Sequence, residues 1–565
     1  MANSMDYDFI VVGAGPAGCT AATTIAGCKS QPRVLLIEAG GDNANANTRI
    51  DGNKYIQFTN PDQSRHYMSE KIDGLGGRQV ELVDGKGLGG STAINLTVWM
   101  PGPRDDMEAM RELMDDQTWG WRATQERLRR LETFTSPASD LSEHISPSAE
   151  CHGFDGPIRV GYPPRLEDSV MDTLKRWSNS GYQINREPCD GSHLGICIAP
   201  ITTHRGERST AADLLPSMQN LDILTEAQVH RVLFDGNTAV GVVLVDGRVF
   251  RASKEVILSA GVRETPKILI LSGVGPSDQL SQFGIPVVYA NENIGQNYRD
   301  HSHICIKYVA DDTASERVAF FKDPARQQAA LREWQLFRTG EYSYIGSALV
   351  LGFFKSLAVA ESSEFNALSE TEKQRLQAPT IPTYEVALNT IPSDFYSDPP
   401  ASSNVIPVYV FLHNSQATGN TRLRSADPGM PLSTSPMILN HPYDRRVAVE
   451  ATREVMKVLK STSACNEWVK CPASDKEKDI LEFWSQNCVS SWHATGTCQM
   501  GKDEKRDRAC VSTCFKVFGV TGLRIADLSI MPFSPSTHPQ PTAYQIGMIA
   551  AEKIIEEHSL NGTRK

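Results

Sequence analysis

The chain has 565 residues, 40% hydrophobic and 22% charged, with 56 Lys and Arg against 67 Asp and Glu, a net charge of −11. It is long enough for a sizeable core and more than one domain, and its composition excludes disordered, collagen-like and disulfide-framework classes. The acidic balance argues against nucleic acid or an anionic membrane as the main partner; with a mean hydropathy of −0.32, no apolar run approaches the ~20 residues that span a bilayer.

In chain order, Asp6 and Asp8 stand where a secretory leader needs basic residues, so no targeting signal is expected. The twelve cysteines form no Cys-x-x-Cys pair and no zinc-type spacing with histidine. No metal site is expected, and reduced thiols favour a cytoplasmic location. Asp8–Val12 is an apolar run of strand length, followed at once by Gly13-Ala-Gly15-Pro-Ala-Gly18. Ala17 to Cys28 is helix-compatible, and Arg33–Glu38 is a second buried-type strand ending in a carboxylate. This is the βαβ dinucleotide fingerprint in its required context. Gly13 permits the tight turn, Gly15 admits a pyrophosphate, and Gly18 lets helix and strand close up. The phosphates then meet unpaired N–H groups at the helix start, with Ala14 inside the loop. Glu38 lies twenty residues beyond Gly18, where an acidic side chain receives a ribose hydroxyl and repels a phosphorylated ribose. The motif disfavours NADP and leaves NAD and FAD open.

Asp84–Asn95 is a second glycine segment without the lysine placement of an NTP loop. Gly89 and Gly90 allow the backbone to lie against a planar ligand, with Ser91, Thr92 and Asn95 as polar neighbours; a plain glycine-rich loop between strands is the alternative. Leu221–Leu224, Val240–Val245 and Arg248–Val256 are strand-like, joined by Asp235-Gly and Asp246-Gly turns. Ser136-Pro-Ala-Ser139 and Pro399–Ser403 are loops, Tyr384–Leu388 and Val405–Leu412 alternate as strands, and His441–Leu459 is helix-like. Pro541 and Thr542 open a last helix whose Ala543, Ile546, Ile549, Ala550 and Ile554 make a core-facing stripe. Its N–H groups can face developing negative charge on a cofactor.

Several blocks resemble those of the glucose–methanol–choline (GMC) oxidoreductases. Gly85-Lys-x-Leu-Gly-Gly-Ser-Thr-x-Ile-Asn95, then Trp99, Gly102 and Glu108, is similar to the first family signature, and Gly261–Gly275 to the second, departing at Val262. Ile294–His301 resembles the Gly-x-Asn-x-x-Asp-His segment, and Ser491–Gly501 and Gly522–Asp527 the C-terminal blocks. The resemblance implies an α/β (α+β overall) protein with a Rossmann-like FAD-binding domain from 1–150, 200–310 and 488–565. A substrate domain built on an antiparallel sheet with helices takes 151–199 and 311–487. It implies FAD as cofactor, held non-covalently because Ala93-Ile94-Asn95 has no histidine. Gly13, Ala14, Gly15, Gly18, Glu38 and Ala39 would hold the dinucleotide. Leu88, Gly90 and Ser91 would also bind the cofactor, Asn95, Leu96, Thr97 and Val98 would lie along the isoalloxazine, and Val229 would meet adenine through its backbone. Ala526, Asp527 and Gln540 complete the cofactor set, Asp527 with strand-end capping as its alternative.

The same resemblance makes His493 and His538 the catalytic pair. His493 is assigned as general base and His538 as orienting partner, roles that can be exchanged. Trp492 would wall the substrate pocket, and Phe320, Phe321, Trp334, Phe337, Tyr342, Tyr344, Phe353 and Phe354 serve either that pocket or the core. The implied partner is a small or medium hydroxylated molecule, with oxygen or another electron acceptor. A lyase or cyclase using the same histidines without redox chemistry is the alternative. Oligomeric state is not legible.

Overall fold

From Phe9 onward the strand Asp6–Val12 is buried on both faces, the pattern of a parallel sheet covered by helices. In the computed structural model, which describes residues 6–137, 141, 143–309, 316–388, 405–461 and 467–562, this strand pairs in parallel with Val34–Ile37 and with residues 251–258 of Val249–Leu258. Leu221–Leu224 extends the sheet beyond Val34–Ile37, and Leu523–Ile525 adds beside Val256–Leu258, both parallel. From the first half of Val249–Leu258, Thr238–Leu244 and Val229–Asp235 continue antiparallel through the two expected glycine turns. One long strand thus carries a parallel neighbour at one end and a hairpin at the other.

Helix Pro16–Ala26 covers this sheet, and helix Gln540–Glu557 lies against it so closely that a Cβ at Gly547 would fall 2.2 Å from the Ala17 carbonyl oxygen. The sequence spacing suggests a single apolar stripe on the last helix. Every residue from Gln540 to Ala551 is buried, so the helix runs through the interior rather than along the surface.

The second sheet is wholly antiparallel. Its order is Glu467–Lys470, Ser302–Val309, Val405–Leu412, Tyr384–Leu388, Val350–Phe354 and Gly195–Ile198, with Val489–Ser490 beside Ser302. Ser302–Val309 falls in the span expected to belong to the FAD-binding domain, yet it hydrogen-bonds here, so the chain changes sheets just after the Asn297–His301 motif. Helix Pro442–Ser461 packs against Val405–Leu412.

The aromatic residues of the middle third mostly fill cores. Phe320, Trp334 and Tyr342 cluster around Ile50, with Phe321 and Tyr344 packed on them, Phe354 joins the main core, and Phe337 is exposed. Phe353 alone reaches the neighbourhood of Val98 and Phe411. Residues 399–403 and part of the 136–139 loop lie outside the described residues. Among the described residues no helix is long and apolar enough to cross a membrane.

His152, Glu187 and Cys189 bring ligand-type atoms within 4.8 Å of one another. His152 Nδ1 lies 2.8 Å from Glu132 Oε1, and Nε2 lies 3.6 Å from Glu187 Oε2. Burial alone would lower its pKa, but the two carboxylates raise it to about 9. His152 thus links Glu187 to Glu132 at the start of strand Glu132–Thr135.

Candidate active site

Gly13 turns the chain at φ +101; a Cβ there would lie 2.3 Å from the Ser259 carbonyl oxygen, and one at Gly18 1.9 Å from the Gly13 carbonyl oxygen. Neither position admits a side chain. Gly15 is the opposite case, with no protein atom within 4 Å of its hypothetical Cβ. It caps helix Pro16–Ala26 without a side-chain hydrogen bond, so the helix start presents free N–H groups to an open approach, the arrangement that takes a pyrophosphate.

Glu38 is buried and busier than its spacing alone implies. Its Oε2 accepts from Ala14 N at 2.9 Å, and Oε1 from Gly40 N at 2.9 Å and Gly87 N at 3.1 Å. A carboxylate has about four acceptor positions, so one remains for a ribose hydroxyl. Ala39 beside it is half-buried, and Ala227 N, two residues ahead of strand Val229–Asp235, donates to the Glu38 carbonyl oxygen at 2.9 Å.

The second glycine segment seats on the first. Gly89 N donates to the Ala14 carbonyl oxygen at 2.9 Å, and a Cβ at Gly90 would lie 2.8 Å from Gly15 Cα. The sequence places these glycines against a planar ligand; their first duty in the fold is loop-on-loop packing. Leu88 N donates to the Gly41 carbonyl oxygen at 2.9 Å, and Ser91, exposed, accepts from Gly85 N at 3.1 Å.

Asn95 donates to Gln540 Oε1 and accepts from Thr97 N at 3.0 Å and from Arg208 Nη1 at 3.2 Å. Leu96 is half-buried and Val98 buried. Thr97 holds a φ of +66, unusual for a β-branched residue, locked by Thr202 N on its carbonyl oxygen at 2.8 Å. Arg208 is fully buried, and its Nε and Nη2 have no partner among the described residues. Unmet buried donors cost about 1–3 kcal/mol, so this arginine marks a place where a polar ligand belongs. At the other loop, Ala526 N donates to the Leu258 carbonyl oxygen at 2.8 Å. Asp527 accepts from Gly261 N at 2.9 Å, Thr265 Oγ1 at 2.6 Å and Ser529 N at 2.8 Å, so its visible work is capping the turns beside the cradle.

The antiparallel sheet faces the cradle with a row of side chains in register. Phe353 stands opposite Glu385, Glu385 opposite Phe411, and Phe411 opposite His303. Residues directly opposite share a face, so alternation alone aligns this row. Glu385 Oε1 accepts from His538 Nε2 at 2.8 Å, and Oε2 from His413 Nε2 at 2.6 Å. His493 lies alongside, its ring centre 4.8 Å from that of His538 and its Nδ1 3.1 Å from His301 Nδ1. Asp300 holds the His493 loop, accepting from His493 N at 2.9 Å and from Ser490 Oγ at 2.5 Å. Asp106 holds the other loop by accepting from Ser536 N at 2.6 Å. Trp492, with φ +58, packs 4.2 Å from Phe58 and 5.9 Å from His303, ring centre to ring centre.

Burial, and then the neighbouring imidazoles His538 and His301, hold His493 well below the usual histidine range, so it is neutral at working pH. Burial lowers His301 in the same direction. For Glu385 burial alone would raise the carboxyl, but His538 and His413 hold it well below the usual carboxylate range. The cluster therefore sets a fixed anion, Glu385, near the neutral rings of His493 and His301.

The sequence model of the GMC oxidoreductase N-terminal region matches residues 7–303, and that of the C-terminal region matches 415–547. The chain belongs to the GMC oxidoreductase family. It is 30% identical to the glucose methanol choline oxidoreductase atC of Aspergillus terreus, over 99% of this chain and 94% of that protein. It is 28% identical to an alcohol dehydrogenase (acceptor) of Pseudomonas putida, over 98% and 96%. Formate oxidase of Aspergillus oryzae shares the fold with a TM-score of 0.88 at 24% identity, covering 99% of this chain and 100% of that one.

GMC oxidoreductases are FAD-dependent, and the cradle fits that group: open space at Gly15, a bare helix start, and unmet buried donors beside Asn95. Four site residues had not been singled out from sequence. Glu385 carried one signal, a carboxylate inside an otherwise apolar strand. His303, His413 and Arg208 carried none, because each gains its meaning from a partner far away in the chain.

Proposed function

We propose that this GMC oxidoreductase oxidises a primary or secondary alcohol carbon of a small or medium organic molecule, by hydride transfer to non-covalently held FAD. The observation that carries this reading is the His493–His538 pair standing next to the cradle. His538 is two residues from Gln540, and Gln540 accepts from Asn95 of the second glycine segment. In this reading the parallel sheet and its loops form the FAD-binding domain, and the antiparallel sheet forms the floor of the substrate site.

Gly13, Ala14, Gly15, Gly18, Glu38, Ala39 and Val229 would hold the adenosine and phosphates. Leu88 to Val98, with Ala526, Asp527 and Gln540, would hold the rest. Bound FAD supplies a two-electron sink for the hydride. The residues around it do the remaining work. A C–H hydride leaves readily only as the alcohol oxygen gives up its proton, so one imidazole accepts that proton while the other holds the oxygen. Fixing the carbon in this way is worth up to about 7–11 kcal/mol of barrier. The start of helix Gln540–Glu557, which has no side-chain cap, offers N–H groups to negative charge on the cofactor. Residues 90–96 contain no His, Cys or Tyr, which supports dissociable FAD. Trp492 and Phe411 favour a substrate with an apolar portion. The electron acceptor is oxygen or another oxidant.

Anaerobic mixing tests the reading. Bleaching of the yellow flavin by an alcohol is the expected result; turnover with the flavin persistently oxidised overturns it and supports acid–base chemistry alone.

A further inference from the structure

We propose that His152, Glu187 and Cys189 form a zinc site. This reverses the expectation of no metal site: the ligands come from two loops far apart in the chain, so no zinc-type spacing announces them. His152 Nε2, the Cys189 thiol sulfur and a Glu187 carboxylate oxygen lie within 4.8 Å of one another, with His152 and Cys189 buried and Glu187 half-buried.

The argument starts at His152, which is 1% exposed and stacks on Phe134 with ring centres 3.7 Å apart, so its ring is fixed. Its Nδ1 meets Glu132 Oε1 at 2.8 Å. This is the carboxylate–imidazole pairing that orients zinc-bound histidines and leaves the other nitrogen to the metal. That other nitrogen, Nε2, is buried and has no hydrogen-bond partner among the described residues. It stands 3.6 Å from Glu187 Oε2, too far for a good hydrogen bond. Two ligands held tetrahedrally at about 2.0–2.1 Å from one zinc ion stand roughly 3.3–3.4 Å apart, close to the separation observed. The Cys189 sulfur has to move in by no more than about 1.3 Å to reach the ~3.5 Å edge of the same tetrahedron.

The carboxylate is held for this task. Glu187 Oε2 accepts from Ser148 N at 2.5 Å and Oε1 from Cys189 N at 3.0 Å, which leaves lone pairs for a cation. A thiolate, an imidazole and a carboxylate in this arrangement suit zinc rather than magnesium or calcium, which take oxygen ligands. Half-buried Glu187 gives water access to the fourth position.

Zinc enters at constant charge. Without metal, His152 carries a proton on Nε2, and Cys189 is a thiol that burial and then Glu187 push well above the usual range. As Zn2+ binds, the Nε2–H and S–H bonds break, the N–Zn and S–Zn bonds form, and both protons leave to solvent, with no change in oxidation state. Two positive charges replace two, so no unbalanced charge is buried.

The site clamps a segment that reaches both functional regions. The Cys189 sulfur lies 3.7 Å from the Trp99 carbonyl oxygen, directly after Val98. Four residues beyond Cys189, His193 Nε2 lies 3.1 Å from the carbonyl oxygen of Ser536, on the loop that carries His538. The metal therefore acts on stability and not on the reacting atoms.

The test is calorimetric titration of EDTA-stripped, flavin-loaded enzyme with Zn2+ alone. One ion per chain, bound more tightly than about 1 µM and raising Tm, is expected. Glu187→Gln and Cys189→Ser should each weaken that binding at least ~10-fold, and Glu187→Gln preserves side-chain volume where the cysteine variant folds poorly. No binding to the wild type overturns the proposal. So does a site whose affinity survives both substitutions, since the zinc then sits elsewhere, such as at the histidines around Glu385. Thiol counting in denatured, unreduced protein adds an independent check. All twelve cysteines are expected to react after metal removal, and a disulfide between Cys151 and Cys189 overturns the proposal.

Discussion

The cradle and the imidazole cluster are built by opposite means. The cradle is backbone: two glycine loops touch through Gly15 and Gly90, and its key positions are defined by what a Cβ would strike. The cluster is side chain: His301, Glu385, His413, His493 and His538 converge from separate segments, and no two of its hydrogen-bonded partners are closer than 28 residues in the chain. A backbone site tolerates almost no substitution at a few positions and is indifferent elsewhere. A side-chain site tolerates backbone change but depends on every partner in a chain of contacts.

The largest expected effect separates the two regions. His493→Ala and His538→Ala should each slow anaerobic flavin reduction ~10²–10⁴-fold while flavin content stays at the wild-type level. Flavin loss in either variant would mean that the cluster also supports the cradle and would erase the distinction.

Next come two glycines of one motif. Gly18→Ala places a methyl 1.9 Å from the Gly13 carbonyl oxygen, so it is expected to destabilise the fold itself by at least about 3 kcal/mol, read as a lowered Tm without cofactor. Gly15→Ala meets no protein atom within 4 Å, so the apoprotein should keep its Tm while FAD affinity falls by about 1–3 kcal/mol, read by flavin titration. Equal behaviour of the two variants would break the account of the loop.

The smallest effect lies outside both regions. His152 has its pKa raised to about 9 by Glu132 and Glu187 against burial, from an ordinary value of 6.5. The stabilisation from this raised value is fully present below pH 6.5 and is lost as pH rises through about 9. It amounts to at most about 3 kcal/mol, and burial of Glu132, whose own pKa is raised, offsets part of it. Tm of the metal-free protein should therefore fall between pH 6.5 and about 9, and His152→Gln should flatten that slope with flavin reduction unchanged.

Both strands of the first motif and the strands Tyr384–Leu388 and Val405–Leu412 were legible because short, nearly continuous apolar runs are what strands buried on both faces require. The last helix was placed correctly but read as amphipathic, since polar residues such as Gln545 and Thr542 concealed that it is buried all round. Most aromatics offered for the pocket fill cores, because an aromatic's hydrophobic content does not specify which apolar space it enters.

The sequence by itself determined the dinucleotide loop, because close backbone approach and turn geometry are properties of one residue and its neighbours, while the two candidate histidines came from the family resemblance of their segments. Tertiary structure alone decided what surrounds those histidines. His538 and Glu385 lie 153 residues apart, and His301 and His493 lie 192 apart. The proton positions of imidazoles depend on which acceptor faces each nitrogen, and only the packed sheet brings that acceptor into place.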